Sequence, residues 1–239
     1  VKINFTSLPC VPNEDLERNE AYAKSLGLPR LGEAQHPYLA IVGGGPSAQD
    51  HLEELRDWPG EIWAINGTYK WLRDNGVLSA FFTIDPKPGI AEMTESVDCA
   101  VLATCCHPSA FDAAFHAHVE TIDLADYPCG PTTASSAPMI ALKRGHKQVS
   151  FFGCEGNFGA TTHAYENREM PILEVVCNGQ TFRTNPQMLQ QSEYLAEQIR
   201  VAPQVLIDRS GGLLSAVVAD PDIDVTAASR SIYDAVMAA

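Results

Sequence analysis

The sequence predicts an α/β fold of the Rossmann-like kind, a mostly parallel sheet with helices on both faces. Three observations carry this. Between residues 38 and 152 short apolar runs alternate with helical stretches. Those runs are apolar at consecutive rather than alternate positions, as strands covered on both faces are. A glycine-rich turn, Gly43-Gly44-Gly45-Pro46-Ser47, follows the first run and opens a helix.

In chain order, residues 1–37 read as an N-terminal arm, with an extended start and a polar helix near 13–26. Pro12 is placed to open that helix, where a missing N–H costs nothing. The arm is expected to be exposed and available to pack on a neighbouring molecule. Residues 38–239 read as one Rossmann-like α/β domain. Its strands are expected at 38–42, 61–65, 80–84, 99–103, 119–122 and 149–152. Its helices are expected at 47–57, 68–75, 90–95 and 133–144, the last ended by Gly145. The last third changes character. Asn178-Gly179 between two β-prone runs predicts a hairpin over 174–183 with a type I′ turn. A helix at 186–201, a strand at 204–207, a turn at Asp220-Pro221-Asp222 and a terminal helix at 227–238 complete a C-terminal cover attached to the sheet.

Composition narrows the function. Sixteen Lys and Arg against thirty Asp and Glu give a formal charge of −14, which argues against holding a nucleic-acid backbone. Hydrophobic residues at 45% and charged residues at 19% are enough to bury a core. No apolar run approaches the ~20 residues of a membrane helix, and no basic-then-apolar leader opens the sequence, so no membrane partner is expected. Seven cysteines, an odd number in a chain long enough to need no staples, fit a reducing cytoplasm as the expected location.

In parallel sheets ligands sit beyond the carboxyl ends of the strands, at the switch in strand order. Polar residues directly after strands are therefore the site candidates. Gly43, Gly44 and Gly45 let the backbone approach a phosphate, and Pro46 and Ser47 begin a helix whose first N–H groups are expected to face it. The pattern also satisfies G-x-G-x-x-A, but the second strand ends in Asn66 where NAD and FAD binders place an acid. Asn66 can read a base or ribose without adding charge. Asp85 follows the third strand, and Glu155 follows the strand at 149–152. Thr132, Thr133 and Ser135 open the helix at 133–144 and suit a phosphate, although such residues are also ordinary caps. His163 is the candidate general base, with Glu155 as a second carboxylate for that work. Lys87 is the strand-end cation suited to a phosphate. Cys105-Cys106-His107, with His116 and His118 downstream, invites a zinc reading. Adjacent cysteines chelate poorly, so buried or strand-end thiols and no resident metal are expected.

These landmarks, in this order, resemble the core domain of bacterial motility-associated (Maf-type) glycosyltransferases, a group that includes archaeal 6-hydroxymethyl-dihydropterin diphosphokinase. The matching pieces are Ile41-Val42-Gly43-Gly44-Gly45-Pro46-Ser47, Ala64-Ile65-Asn66, Thr83-Ile84-Asp85-Pro86, Thr132-Thr133-Ala134, Phe152-Gly153-Cys154-Glu155 and Thr162-His163-Ala164. The resemblance runs from about residue 38 to 212, and is more distant to bacterial CMP-sugar sialyltransferases. It implies a nucleotide or nucleotide-sugar ligand at the glycine loop, lined by Gly43 to Ser47, Asn66, Asp85 and Thr132 to Ser135. Glu155 stands where the family usually has Asp. A glycosyltransferase of this kind needs no firm cofactor, whereas the pterin diphosphokinase alternative uses ATP with magnesium. That kinase has a richer acidic cluster than Asp85-Pro86-Lys87. A non-catalytic nucleotide-binding protein is the third reading.

Overall fold

The computed structural model describes residues 11–164 and 172–225. Seven strands form one parallel sheet: β1 (Tyr38–Val42), β2 (Glu61–Ile65), β3 (Ala80–Thr83), β4 (Cys99–Ala103), β5 (His118–Ile122), β6 (Gln148–Phe152) and β9 (Leu206–Asp208). Each of β1 to β4 and β6 buries every residue but its first, which is why these segments read as unbroken apolar runs. Trp63 of β2 stacks on Phe82 of β3 at 4.5 Å between ring centroids, at the centre of the core.

The spatial order is β5-β4-β3-β2-β1-β6-β9. The chain steps outward from β1 to β5, then returns to lay β6 on the other side of β1. The switch point therefore lies between the carboxyl ends of β1 and β6, the place where such sheets bind ligands. Helices α2 (Leu52–Arg56), α3 (Thr68–Asp74), α4 (Ala91–Thr94), α5 (Pro108–Ala113) and α6 (Thr133–Arg144) connect these strands. Gly145 ends α6 in the left-handed region at φ 107°, the conformation expected of a glycine cap.

The C-terminal cover holds a second, antiparallel sheet in the order β10-β7-β8, from β7 (Leu173–Cys177), β8 (Gln180–Thr184) and β10 (Ile223–Val225). The turn between β7 and β8 puts Asn178 and Gly179 at φ 50° and 69°, both positive as type I′ requires. Helices α7 (Pro186–Val201) and α8 (Gly212–Ala219) flank β9, which pairs with β6 and joins the cover to the main sheet.

Several elements depart from the sequence expectation. The helix over 47–57 divides into a 3₁₀ segment, Pro46–His51, and α2, because the His51 backbone leaves the helical region at φ −108°, ψ 9°. Helix α5 has only six residues, too few to show a period. Helix α8 is apolar nearly throughout, so it lacks the contrast that reveals an amphipathic helix. The expected terminal helix at 227–238 and the extended start lie outside the described residues.

The arm also differs, since from residue 13 onward it docks on its own sheet. Helix α1 (Asn13–Ser25) sends Asn19, fully buried, to the carbonyls of Pro86 and Cys105 at 3.3 and 3.0 Å. Residues 29–31 then pair with the free edge of β5 through Leu31 N–H to Thr121 O and Thr121 N–H to Pro29 O, both 2.8 Å. Beyond that, Arg144 donates to the Gly32 carbonyl at 2.6 Å and to Glu61 at 2.9 Å. Glu61 in turn accepts the Gln35 N–H at 2.8 Å.

Candidate functional site

A cavity of about 460 Å³ opens over the carboxyl ends of β1, β2, β3 and β6, beside the first turn of α6. Of the residues expected to form the site, Gly43, Gly44, Gly45, Asn66, Asp85, Thr132, Thr133, Glu155 and His163 line it. Pro46, Ser47 and Ser135 stand behind its wall. Residues more than a hundred positions apart are thus brought together by the strand order alone.

The glycine loop is built differently from a phosphate cradle. Gly43 N–H donates to Phe152 O, and Gly45 N–H to Gly153 O, each at 2.8 Å, so the loop extends the β1–β6 pairing. A Cβ on Gly43 would lie 2.4 Å from the Gly153 carbonyl oxygen, and one on Gly153 would lie 2.4 Å from that of Gly43. The two glycines permit this crossing of backbones. Ser47 N–H and hydroxyl both donate to the Glu155 carboxylate, at 2.8 and 2.7 Å. The expectation of open N–H groups at this helix start is therefore corrected. Among the described residues, Gly44 is the one loop N–H without a hydrogen-bond partner.

Glu155 is 4% exposed, and burial raises its pKa above the ordinary carboxylate value, opposed by the two Ser47 hydrogen bonds. Its backbone is fixed as firmly as its side chain. The first turn of α8 reaches it, with Leu214 N–H on the Glu155 carbonyl at 2.9 Å and Leu213 N–H on Asn157 Oδ1 at 2.7 Å. The neighbouring Cys154 thiol is fully buried and pushed far above its usual range by desolvation, so it is no nucleophile.

The other side chains have distinct environments. Asn66 holds a left-handed backbone at φ 51°, and its Oδ1 is buried without a hydrogen-bond partner among the described residues. Strain and an unsatisfied acceptor at one cavity residue are both costs that functional positions tend to carry. Asp85 Oδ1 accepts the Lys87 N–H at 3.0 Å, closing the turn after β3 and bringing Lys87 to the cavity wall. His163 Nδ1 meets Thr162 Oγ1 at 3.2 Å. Ala164 secures that segment by donating its N–H to Gly44 O at 2.9 Å and accepting from the Gln49 amide.

At α6 Thr132 and Ser135 form the ordinary cap that the sequence offered as the alternative to a phosphate site. Thr132 Oγ1 accepts Ser135 N–H at 3.2 Å, and Ser135 Oγ accepts Thr132 N–H at 2.9 Å, a reciprocal capping box. Thr132 Oγ1 also donates to Gln191 Oε1 at 2.8 Å, tying α6 to α7. Helix α7 supplies wall residues that the sequence reading did not single out, Gln187, Met188 and Gln191, together with its cap Asn185. The i, i+4 pair of glutamines beside a buried stripe was the available signal.

The donor set fits a magnesium ion poorly, because both Glu155 oxygens lie on Ser47 and one Asp85 oxygen lies on Lys87 N–H. The cysteine–histidine run does not converge either. The Cys105 and Cys106 thiols contact the carbonyls of Ile84 and Thr83, His107 caps α5 through Ser109 N–H, and His118 begins β5 at the opposite end of the sheet. Among the described residues no helix is long and apolar enough to cross a membrane. Compared with protein-family models, curated proteins and solved structures, the chain has no match in any of the three.

Proposed function

We propose that the cavity binds a nucleotide-activated sugar and that the chain is a glycosyltransferase-like enzyme. The observation supporting this is the convergence of four strand ends and a capped helix start on one cavity at the switch point. The lining suits such a ligand. Amide side chains of Asn66, Asn157, Gln187 and Gln191 offer uncharged donors and acceptors for base and sugar, and Met93 and Met188 offer apolar surface. Among the described residues Lys87 is the one lysine or arginine that lines the cavity, where it can meet a phosphate.

In this reading His163 takes the proton from the acceptor hydroxyl as it attacks the anomeric carbon, and the nucleotide leaves with its phosphate. Glu155 is then a fixed part of the scaffold, since its carboxylate is already engaged by Ser47. Thermal unfolding with CMP, UDP, GDP, ATP or NAD tests the reading, because a ligand bound only by the folded state raises the midpoint. Stabilisation by a pyrimidine or guanine nucleotide is expected. Stabilisation by NAD alone overturns it, and a shift by ATP that requires magnesium favours the diphosphokinase. A ligand-induced shift with no sugar transfer under any donor tested leaves the non-catalytic binder.

A further inference from the structure

We infer that a phosphate group is held in this cavity by the first turn of α6, through Thr133 and Ala134, and not by the glycine loop. The inference rests on the nucleotide reading for its biological ligand but on separate observations for its position.

Helix α6 has twelve residues, and its capping box occupies the N–H of Ser135 while Ser136 N–H reaches Thr132 O. The N–H groups of Thr133 and Ala134, its first two positions, have no partner among the described residues, and both residues line the cavity. Two open N–H groups at the positive end of a helix of three turns form an anion seat.

The second observation is the Thr133 side chain itself. It is only 7% exposed, yet its hydroxyl has no hydrogen-bond partner among the described residues. It is not among the sealed, unsatisfied atoms of the described residues, so it keeps access to the cavity that Thr133 lines. A threonine so deeply set is nearly always satisfied, and an oxyanion at the helix start would satisfy it together with the two N–H groups. Lys87 lines the same cavity and adds a positive charge.

The loop offers no comparable seat. Ser47, the donor there, already holds a carboxylate, and the space beside Gly45 is filled by the same group. A Cβ on Gly45 would lie 2.1 Å from Glu155 Oε2. A phosphate placed on Ser47 would have to displace Glu155.

The test is amide-resolved NMR of the ¹⁵N-labelled chain titrated with inorganic phosphate at constant ionic strength. Saturable shifts are expected at the Thr133 and Ala134 amides. Thr133→Val, which keeps the shape and removes the hydroxyl, is expected to weaken binding about tenfold, as loss of a charge-assisted hydrogen bond does. Thr133→Ser restores it, and Ser47→Ala leaves it within about twofold. Shifts centred on residues 44–47 and lost in Ser47→Ala overturn the inference. So does the absence of saturable shifts at Thr133 and Ala134 up to about 50 mM phosphate. The nucleotide panel separates the two ideas. Phosphate mapping to α6 without stabilisation by any nucleotide removes the nucleotide reading and keeps the seat. A stabilising nucleotide that shifts only the loop amides removes the seat and keeps the reading.

Discussion

The Glu155 carboxylate receives both the N–H and the hydroxyl of Ser47, 108 residues away in the chain, and rests against the α-carbon of Gly45. A glycine that looks chosen to admit a phosphate is thus a glycine that admits a side chain. Gly45→Ala is expected to push Glu155 off Ser47 and cost about 2–4 kcal/mol, a typical penalty for overpacking plus a broken buried hydrogen bond. Glu155→Ala alone leaves Ser47 N–H unsatisfied and costs about 1–3 kcal/mol. The double variant should lose clearly less than the sum, because removing the carboxylate empties the space the new methyl needs. Urea denaturation of the four proteins measures this. Strict additivity would mean that the two residues do not share that space.

What could be read in advance follows the range of the interaction. Strands β2 and β4 match the sequence reading to the residue, because an unbroken apolar run bounded by polar residues marks a doubly covered strand. The Asn178-Gly179 turn and the Gly145 cap were equally legible, each set by the backbone conformation of one or two residues. The polar residues singled out at the strand ends line one cavity, since in a parallel sheet the strand ends share a rim. What stayed hidden was how the groups on that rim satisfy one another. Nothing local in Gly43-Gly44-Gly45 announces that Gly153 must cross it or that Glu155 will fill it. The α7 wall was hidden because a helix dipping one polar face into a cavity shows only a weak period, and α8 because it is apolar nearly throughout.

Glu193 offers a stability test away from the cavity. It lies half-buried on α7, and burial alone pushes its pKa up to about 7. The native state then holds this proton more tightly than the unfolded chain, whose carboxyl titrates near 4.5. Stability from this residue is greatest in acid and is lost as pH rises from about 4.5 to 7. Glu193→Gln should therefore be more stable than the parent at pH 8, by about 1 kcal/mol allowing for solvent screening. The gap should close near pH 4. A gap independent of pH in chemical denaturation would rule out the carboxyl as its source.

Thr132 joins two functions of the α6 start, the cap on Ser135 and the bond to Gln191 of α7. Thr132→Ala is expected to destabilise the protein by about 1–2 kcal/mol, the usual cost of a lost N-cap with an added tertiary hydrogen bond. Thr132→Ser keeps both oxygen contacts and should recover most of that loss. Gln191→Leu should cost less than Thr132→Ala, since it leaves the capping box in place. Thermal midpoints of the three variants decide the order.

The arm is held by a network that weakens in acid. Arg144, Glu61 and His146 meet at the amino-terminal end of β2, with Arg144 over the Trp63 ring and His146 Nδ1 donating to the His36 carbonyl at 3.0 Å. Burial pushes Glu61 up, but hydrogen bonds from Arg144 and Gln35 N–H and the nearby positive charge bring its pKa below the ordinary value. Burial lowers His146, outweighing the attraction of Glu61. Both groups bind protons less readily in the folded state than in the unfolded one, so both contributions are present at neutral pH and lost on acidification. His146 acts first, as pH falls below about 6.5, and Glu61 follows below about 4.5. Hydrogen exchange of amides 31–36 should accelerate relative to the β1–β3 core as pH is lowered from 7.5 to 5, after correction for intrinsic rates. Arg144→Met should loosen the same amides at neutral pH and cost about 2–3 kcal/mol, because it leaves Glu61 partly buried without its cation. Adding Glu61→Gln should return part of that loss, and a failure to do so would place the arm's attachment in packing rather than charge.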